Sequence, residues 1–229
     1  MRVWDIHPGY LNRQSLLGEH RELHGLVSIL VKGKKGYSHH PETLRWVGYG
    51  WALKQRHKAL VCEMNLRGYK DESPVRMRSN QGVWPEIYID DPHIQIKLLK
   101  EKYVNREMGR IPLPRNSQEL WSHHKYSVLA RDPNKYKEIG QRLSGKEGDF
   151  ESLSMELVEL LRNRPTEGGI RNALQHMWGY VSKDSSIDED NVSSWSLKRL
   201  LAKTQERVIK SKEPYLVKST ALSDLMVWL

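Results

Sequence analysis

The chain has 229 residues, 38% of them apolar and 28% charged, with a net charge of +9. This balance excludes a disordered tail, and no apolar run reaches the roughly 20 residues of a membrane span. A single cysteine, Cys62, excludes a disulfide framework and a thiolate metal site.

The charge is uneven. Residues 1–112 hold 19 Lys and Arg against 12 Asp and Glu, a net of +7, and the remainder carries only +2. Such a patch is the electrostatic footprint of a protein that meets phosphate, or else a basic surface that aids solubility. The aromatic supply is 8 Trp and 10 Tyr with one Phe, rings suited both to ordinary cores and to base stacking. The start of the chain has no signal-peptide pattern, so a cytoplasmic, soluble protein is expected.

Residues 1–10 read as an extended lead-in that ends in the turn signal "HPGY". A helix is expected from Leu11 to Val31, stopped at "KGKKGY" by Gly33 and Gly36. A long helix follows from Ser38 to Gly68, capped by Ser38 or His40 with Pro41 in its first turn and weakened by Gly48 and Gly50. Cys62 sits in its apolar run and reads as a small buried hydrophobe. Residues 70–92 read as a loop, and 93–110 as a helix. "IPLPRNS" (Ile111 to Ser117) is the expected boundary, giving domains 1–112 and 113–229. The second half reads as helices over 117–130, 132–143, 149–163, 166–182, 194–211 and 219–229, with "KDSSIDEDNVSS" as a solvated loop. Strand-like alternation is scarce, so the fold class is all-α: an N-terminal helical domain followed by a second helical domain.

The first helix is crowded with titratable groups. With Leu16 set at zero and 100° per residue, Leu17, Leu23, Leu26, Val27 and Leu30 span an arc from about 280° round to about 100°. Glu19 falls inside it near 300°, Glu22 just outside near 240°, and Arg21 beyond the other edge near 140°. His20 and His24 also lie inside. Glu19 fits a buried acid tied to an arginine or a backbone amide, and a border acid such as Glu22 is ordinarily solvated.

The chain start adds a reagent. Arg2 is too bulky to permit removal of the initiator methionine, so Met1 is expected to keep a free α-amine. An α-amine titrates at roughly 7.7–8.0, against roughly 10.4 for lysine, so far more of it is nucleophilic at neutral pH. Such an amine can attack an aldehyde-like carbon to form a Schiff base, with a neighbouring carboxylate moving protons.

On these residues the sequence resembles the phage-type pyrimidine-dimer DNA glycosylases. The matching stretches are "QSLLGEHREL" (Gln14 to Leu23), the start "MRV", "LKQRHKALVCEMNLRGY" (Leu53 to Tyr69) and "HIQIKLLKEKYVNR" (His93 to Arg106). The resemblance implies a catalytic pair of the Met1 α-amine and Glu22, with Arg2 and Arg21 as basic residues on DNA. Lys32, Lys34 and Lys35 would hold further phosphates. The implied activity is DNA repair by a glycosylase with apurinic/apyrimidinic (AP) lyase action on damaged double-stranded DNA, with no metal and no cofactor. The chain departs from the pattern at Met1, where the family exposes a small residue, and at His20, Gly25 and Ser15. The family's aromatic-rich C-terminal tail is not evident. A monomer is expected.

The second half resembles the YbgA-like domains of unknown function, through "HHKYSVLARDPNKYKEIG", "IRNALQHMWGYVS" and "KEPYLVKSTALSDLMVWL". Asn172, Gln175, His176 and Gly179 share one helix face, which reads as a polar helix–helix contact or as a surface for a nucleobase. The pairs His39-His40 and His123-His124 read as a loop or cap and as a poor metal site. Two other functions stay open: a non-catalytic nucleic-acid-binding protein, and a transfer-RNA modification factor that binds RNA through the C-terminal domain.

Overall fold

The computed structural model describes residues 1–78, 82–145, 148–182 and 189–229, and among these every regular element is helical. The chain divides into two compact units, Met1–Gly109 and Arg110–Leu229. No helix among the described residues is long and apolar enough to cross a membrane.

In the first unit, Pro8–Tyr10 forms one 3-10 turn, and its His7 Nδ1 accepts from the Gly9 amide at 3.0 Å. Helix α1 (Arg13–Lys32) is capped by Asn12, whose Oδ1 accepts from the Ser15 amide at 2.9 Å, and it ends at Gly33 in the left-handed conformation. Helix α2 (Pro41–Arg45) starts where His40 Nδ1 accepts from the Glu42 amide. The long helix expected over 38–68 is broken after Arg45, and α3 runs Gly50–Leu66. Gly48 has φ +84, and a Cβ on Gly50 would collide with the carbonyl oxygen of Arg78. The break therefore needs both glycines.

Helix α4 (Pro92–Lys102) is shorter than expected. Tyr103 is buried, its hydroxyl accepts from the Asn12 amide at 2.9 Å, and Asn105 turns the chain with φ +59. Helices α1 and α3 pack together and bury Leu16, Leu23 and Leu26 of one and Leu53, Leu60 and Met64 of the other. Cys62 is only half-buried.

In the second unit, α5 (Ser117–Leu129) packs against α6 (Pro133–Ser144), α7 (Phe150–Arg162) and α8 (Glu167–Val181). A helix wrapped on several sides buries residues all round, which is why the adjacent His123 and His124 are both inside. Side chains of Asn116, Asp132, Asp149 and Thr166 cap these four helices. Of "KDSSIDEDNVSS", residues 183–188 lie outside the described residues, and Glu189–Ser194 forms 3-10 turns. Helix α9 (Leu197–Ser211) packs on α8. The single helix expected over 219–229 is instead α11 (Ala221–Asp224) tightening into a 3-10 turn, Leu225–Trp228. It is preceded by the four-residue α10 (Pro214–Val217). Arg131 ties this end down, pairing with both carboxylate oxygens of Asp224 at 2.7 and 2.9 Å and donating to the carbonyls of Leu161 and Asn163.

The buried histidines make this unit acid-sensitive. Burial pushes His123 down to about 3 and His124 down to about 4, and the His124 Nδ1 faces the Leu120 carbonyl at 2.9 Å. Both rings are neutral when folded, whereas the unfolded chain takes up their protons below about 6.5. Their contribution is complete above that value and is lost as pH falls toward 4, by at most about 1.4 kcal/mol per pH unit for each ring. Urea midpoints taken at pH 7 and pH 5 should fall at the lower pH, and fall less in His123→Gln.

Candidate active site

The lead-in is held almost residue by residue. The Arg2 amide donates to Glu22 Oε2 at 2.5 Å. The Val3 amide faces Glu42 and favours its ionised form. The Trp4 amide donates to Glu19 Oε1 at 3.1 Å, and the Asp5 amide to Gln95 Oε1 at 2.8 Å. Four successive N–H groups thus meet side chains of α1, α2, α1 and α4. The side chains join in. Asp5 pairs with Arg45 at 2.5 Å and accepts from Gln95 Nε2 at 2.9 Å, while Arg2 pairs with Asp90 at 2.6 Å and lies over the Trp4 ring. Val3, Trp4 and Ile6 are buried beneath.

The strongest anchor is Glu19. Arg56 of α3 grips it with two parallel bonds, Nε to Oε1 at 2.7 Å and Nη2 to Oε2 at 2.8 Å, and donates its third nitrogen to the Ile6 carbonyl at 2.8 Å. Burial pushes the Glu19 carboxyl upward; Arg56 and the Trp4 amide oppose that. Arg67, paired with Glu63 at 2.8 Å, holds the next turn through the carbonyls of Leu11 and Gly9.

Of the residues singled out in the sequence, Met1, Arg2 and Glu22 come together. Three covalent bonds separate the Met1 nitrogen from the Arg2 nitrogen, so the α-amine lies within roughly 7 Å of the Glu22 carboxylate. Glu22 is exposed, as its place at the edge of the apolar arc predicts, while Glu19, three residues earlier, is 2% exposed. Arg21 is exposed beside Glu22. Lys32, Lys34 and Lys35 are exposed at and beyond the far end of α1, more than about 15 Å along the axis from Glu22. They belong to the same helix face as Arg21 or to the loop after it, not to the amine–carboxylate centre. A groove of about 520 Å³ opens near them, lined by Leu30, Val31, Val47, Gly48, Gly50 and Met77.

On the other flank of α1, His20, His24 and His57 face each other and Asp71, with ring centroids 4.7 to 5.2 Å apart. Burial pushes His57 down to about 4 and also lowers His20. Burial raises the Asp71 carboxyl, but hydrogen bonds from the Ser73 hydroxyl and amide outweigh it and hold the group below its ordinary value. The imidazoles of His20 and His57, both held neutral by burial, therefore flank an ionised carboxylate at neutral pH. The i, i+4 spacing of His20 and His24 was readable in the sequence; His57 and Asp71 came from 33 or more residues away and were not.

In the second unit, Gln175, His176 and Gly179 are exposed and nothing approaches Gly179. Among the described residues these three positions are open to solvent, so of the two readings the polar helix–helix contact is not the one they make.

Glu19→Gln leaves a buried guanidinium without its counter-charge, at a cost of about 3–5 kcal/mol, whereas Glu22→Gln on the exposed edge should change stability by no more than about 0.5 kcal/mol. Thermal unfolding of the two variants side by side checks this.

No curated protein and no solved structure matches the chain. Residues 125–214 match the model of a protein family of unknown function, DUF1722. Residues 1–77, which carry the lead-in, α1, α2 and α3, match the family model of the pyrimidine dimer DNA glycosylases, enzymes of DNA repair that bind damaged DNA.

Proposed function

We propose that the first unit is a DNA glycosylase with AP-lyase activity, acting on damaged pyrimidines such as cyclobutane dimers or on abasic sites. The observation that carries this reading is the 2.5 Å hydrogen bond from the Arg2 amide to Glu22, three covalent bonds from the α-amine. It joins the family match of the same residues.

The chemistry follows from the pair. The damaged nucleotide leaves the stack, at a cost of a few kcal/mol that is lower at a lesion. The Met1 nitrogen, in its unprotonated form, attacks the sugar C1′. The bond from C1′ to the base nitrogen breaks, and the base departs with that electron pair and a proton. Loss of the amine proton and opening of the sugar ring give an imine, with the ring oxygen leaving as a hydroxyl. Glu22 then takes the C2′ proton, and the C3′–O bond breaks in a β-elimination that cuts the strand. The reaction needs a carboxylate that reaches solvent and a nearby amine, and Glu22 is the exposed acid of the two on this helix.

Phosphate is met by the exposed strip of α1. Arg21 and Lys32 lie within about 20° of each other around the helix and about 16 Å apart along it, a span of roughly five nucleotides. Lys34 and Lys35 extend the strip into the loop. Arg2 is already paired with Asp90 and stacked on Trp4, so its part is to fix the lead-in as well as to face DNA.

Borohydride added during incubation with an abasic duplex should trap a covalent protein–DNA adduct that peptide mapping places at Met1. Glu22→Gln should lower strand cleavage by about 100-fold or more. A residue string added before Met1 should abolish trapping; an adduct that survives it removes the α-amine from the mechanism, and transfer-RNA binding without cleavage of damaged DNA would favour the RNA reading. Arg21→Ala and Lys32→Ala should each weaken duplex binding and lower the slope of log affinity against log salt by about 1.

A further inference from the structure

The histidine cluster takes no part in the amine–carboxylate chemistry. Around α1, His20 and His24 lie near 40° and 80°, and Glu22 near 240°, so the cluster and the proposed nucleophile occupy opposite flanks, at roughly these angles. Its polar groups converge, and one of them is left over. His24 Nε2 has hydrogen-bond partners in His57 Nε2 at 3.1 Å and the Ser73 hydroxyl at 3.2 Å. His20 Nε2 is buried 3.2 Å from Asp71 Oδ1, yet it makes no hydrogen bond. Asp71 Oδ2 is 3.6 Å from His57 Nε2. The side chains of His20, His57 and Asp71 are 13%, 8% and 8% exposed, too withdrawn for water to take up the slack freely.

We propose that His20, His24, His57 and Asp71 form a binding site for one divalent transition-metal ion of the zinc class. Each supplies one donor atom, and all four donors lie within 4.8 Å of one another. A tetrahedral ion with bonds of about 2.0–2.1 Å has ligand–ligand edges of about 3.3–3.4 Å. Three of the donor separations, 3.1 Å between His24 and His57 and 3.2 and 3.6 Å from His20 and His57 to the two oxygens of Asp71, lie near that value, and the remaining ones stay within 4.8 Å. Three imidazoles and one carboxylate suit zinc and its neighbours and do not suit magnesium or calcium, which take oxygen ligands. The ion would satisfy His20 Nε2, which the cluster leaves without a hydrogen-bond partner.

The sequence builds the site economically. Two ligands come from one face of α1 at i, i+4, a third from α3, and the fourth from the segment that follows α3. Ser73 orients the carboxylate from outside, with its amide 3.1 Å from Asp71 Oδ1 and its hydroxyl on the same oxygen. Four protein ligands close the coordination sphere, so the ion is structural: it clamps the chain after α3 onto the two helices that carry the lead-in.

The test uses the full chain, stripped with a chelator and titrated with cobalt(II), whose visible absorption reports tetrahedral coordination. One equivalent should bind, with an intense band that zinc abolishes stoichiometrically, and zinc should raise the unfolding midpoint. His20→Gln, His57→Gln and Asp71→Asn should each weaken cobalt binding by more than about tenfold, since loss of even an outer partner costs about 10–100-fold. Circular dichroism of the metal-free variants keeps loss of folding apart from loss of a ligand. His176→Gln, on the exposed face of the other unit, and Glu22→Gln should bind as the parent does. Failure of the parent chain to take up one equivalent, or uptake that survives both His20→Gln and His57→Gln, overturns the proposal. Because binding is read without DNA, that failure leaves the glycosylase reading untouched, and loss of cleavage with intact metal binding leaves the clamp untouched.

Discussion

One buried ion pair holds the first unit in register. Glu19 and Arg56 join α1 to α3 across the core, and the same two side chains take the Trp4 amide and the Ile6 carbonyl. A carboxylate and a guanidinium withdrawn from water pay a desolvation cost that hydrophobic residues of similar size would avoid. What the pair supplies in return is position. A non-helical segment of six residues has no hydrogen-bond ladder of its own, and each buried N–H or C=O on it must find a partner. Glu19, Glu42 and Gln95 provide those partners from three helices, so the segment has one seat and one direction. The end of that seat is where the Arg2 amide meets Glu22.

That arrangement explains why two glutamates three residues apart on one helix have different fates. Glu19 is enclosed, bound on both oxygens and unable to exchange a proton without breaking the pair. Glu22 stands at the edge of the same apolar arc, open to solvent, with only the lead-in above it. A group that moves protons must reach both substrate and solvent.

Much of this was legible in the sequence, and the limit was set by distance along the chain. The all-α class and several helix starts follow from local signals: His40, Asp132, Asp149 and Thr166 stand at the expected starts, and each does cap, whereas Asn12, expected inside the first helix, turns out to cap it. The division between Glu19 and Glu22 followed from their angles on one helix. The identity of Glu19's partner did not, because Arg56 lies 37 residues away and several arginines would have served equally on paper. Helix ends failed where tertiary contacts decided them. Tyr103 ends α4 because its ring and hydroxyl are wanted in the core beside Asn12, and α10 is too short to carry any period. The face of Gln175 and His176 reads two ways in the sequence for the same reason, since periodicity shows that residues share a face but not what the face meets.

The histidine cluster completes the picture of α1 as a helix fixed on two sides. Its core arc packs on α3, and the Glu19–Arg56 pair locks the side that carries the lead-in. The opposite side would otherwise rely on a short stretch of irregular chain around Asp71 and Ser73, with little apolar surface to hold it. A closed metal site there adds rigidity where packing cannot, and it does so without touching the reactive flank. The proposed chemistry by the amine of the half-buried Met1 would depend on such stiffness, because an error of about 1 Å in the meeting of amine, carboxylate and sugar can cost about 100-fold in rate. The unit therefore places its most polar buried groups around, and not within, the pair that would react.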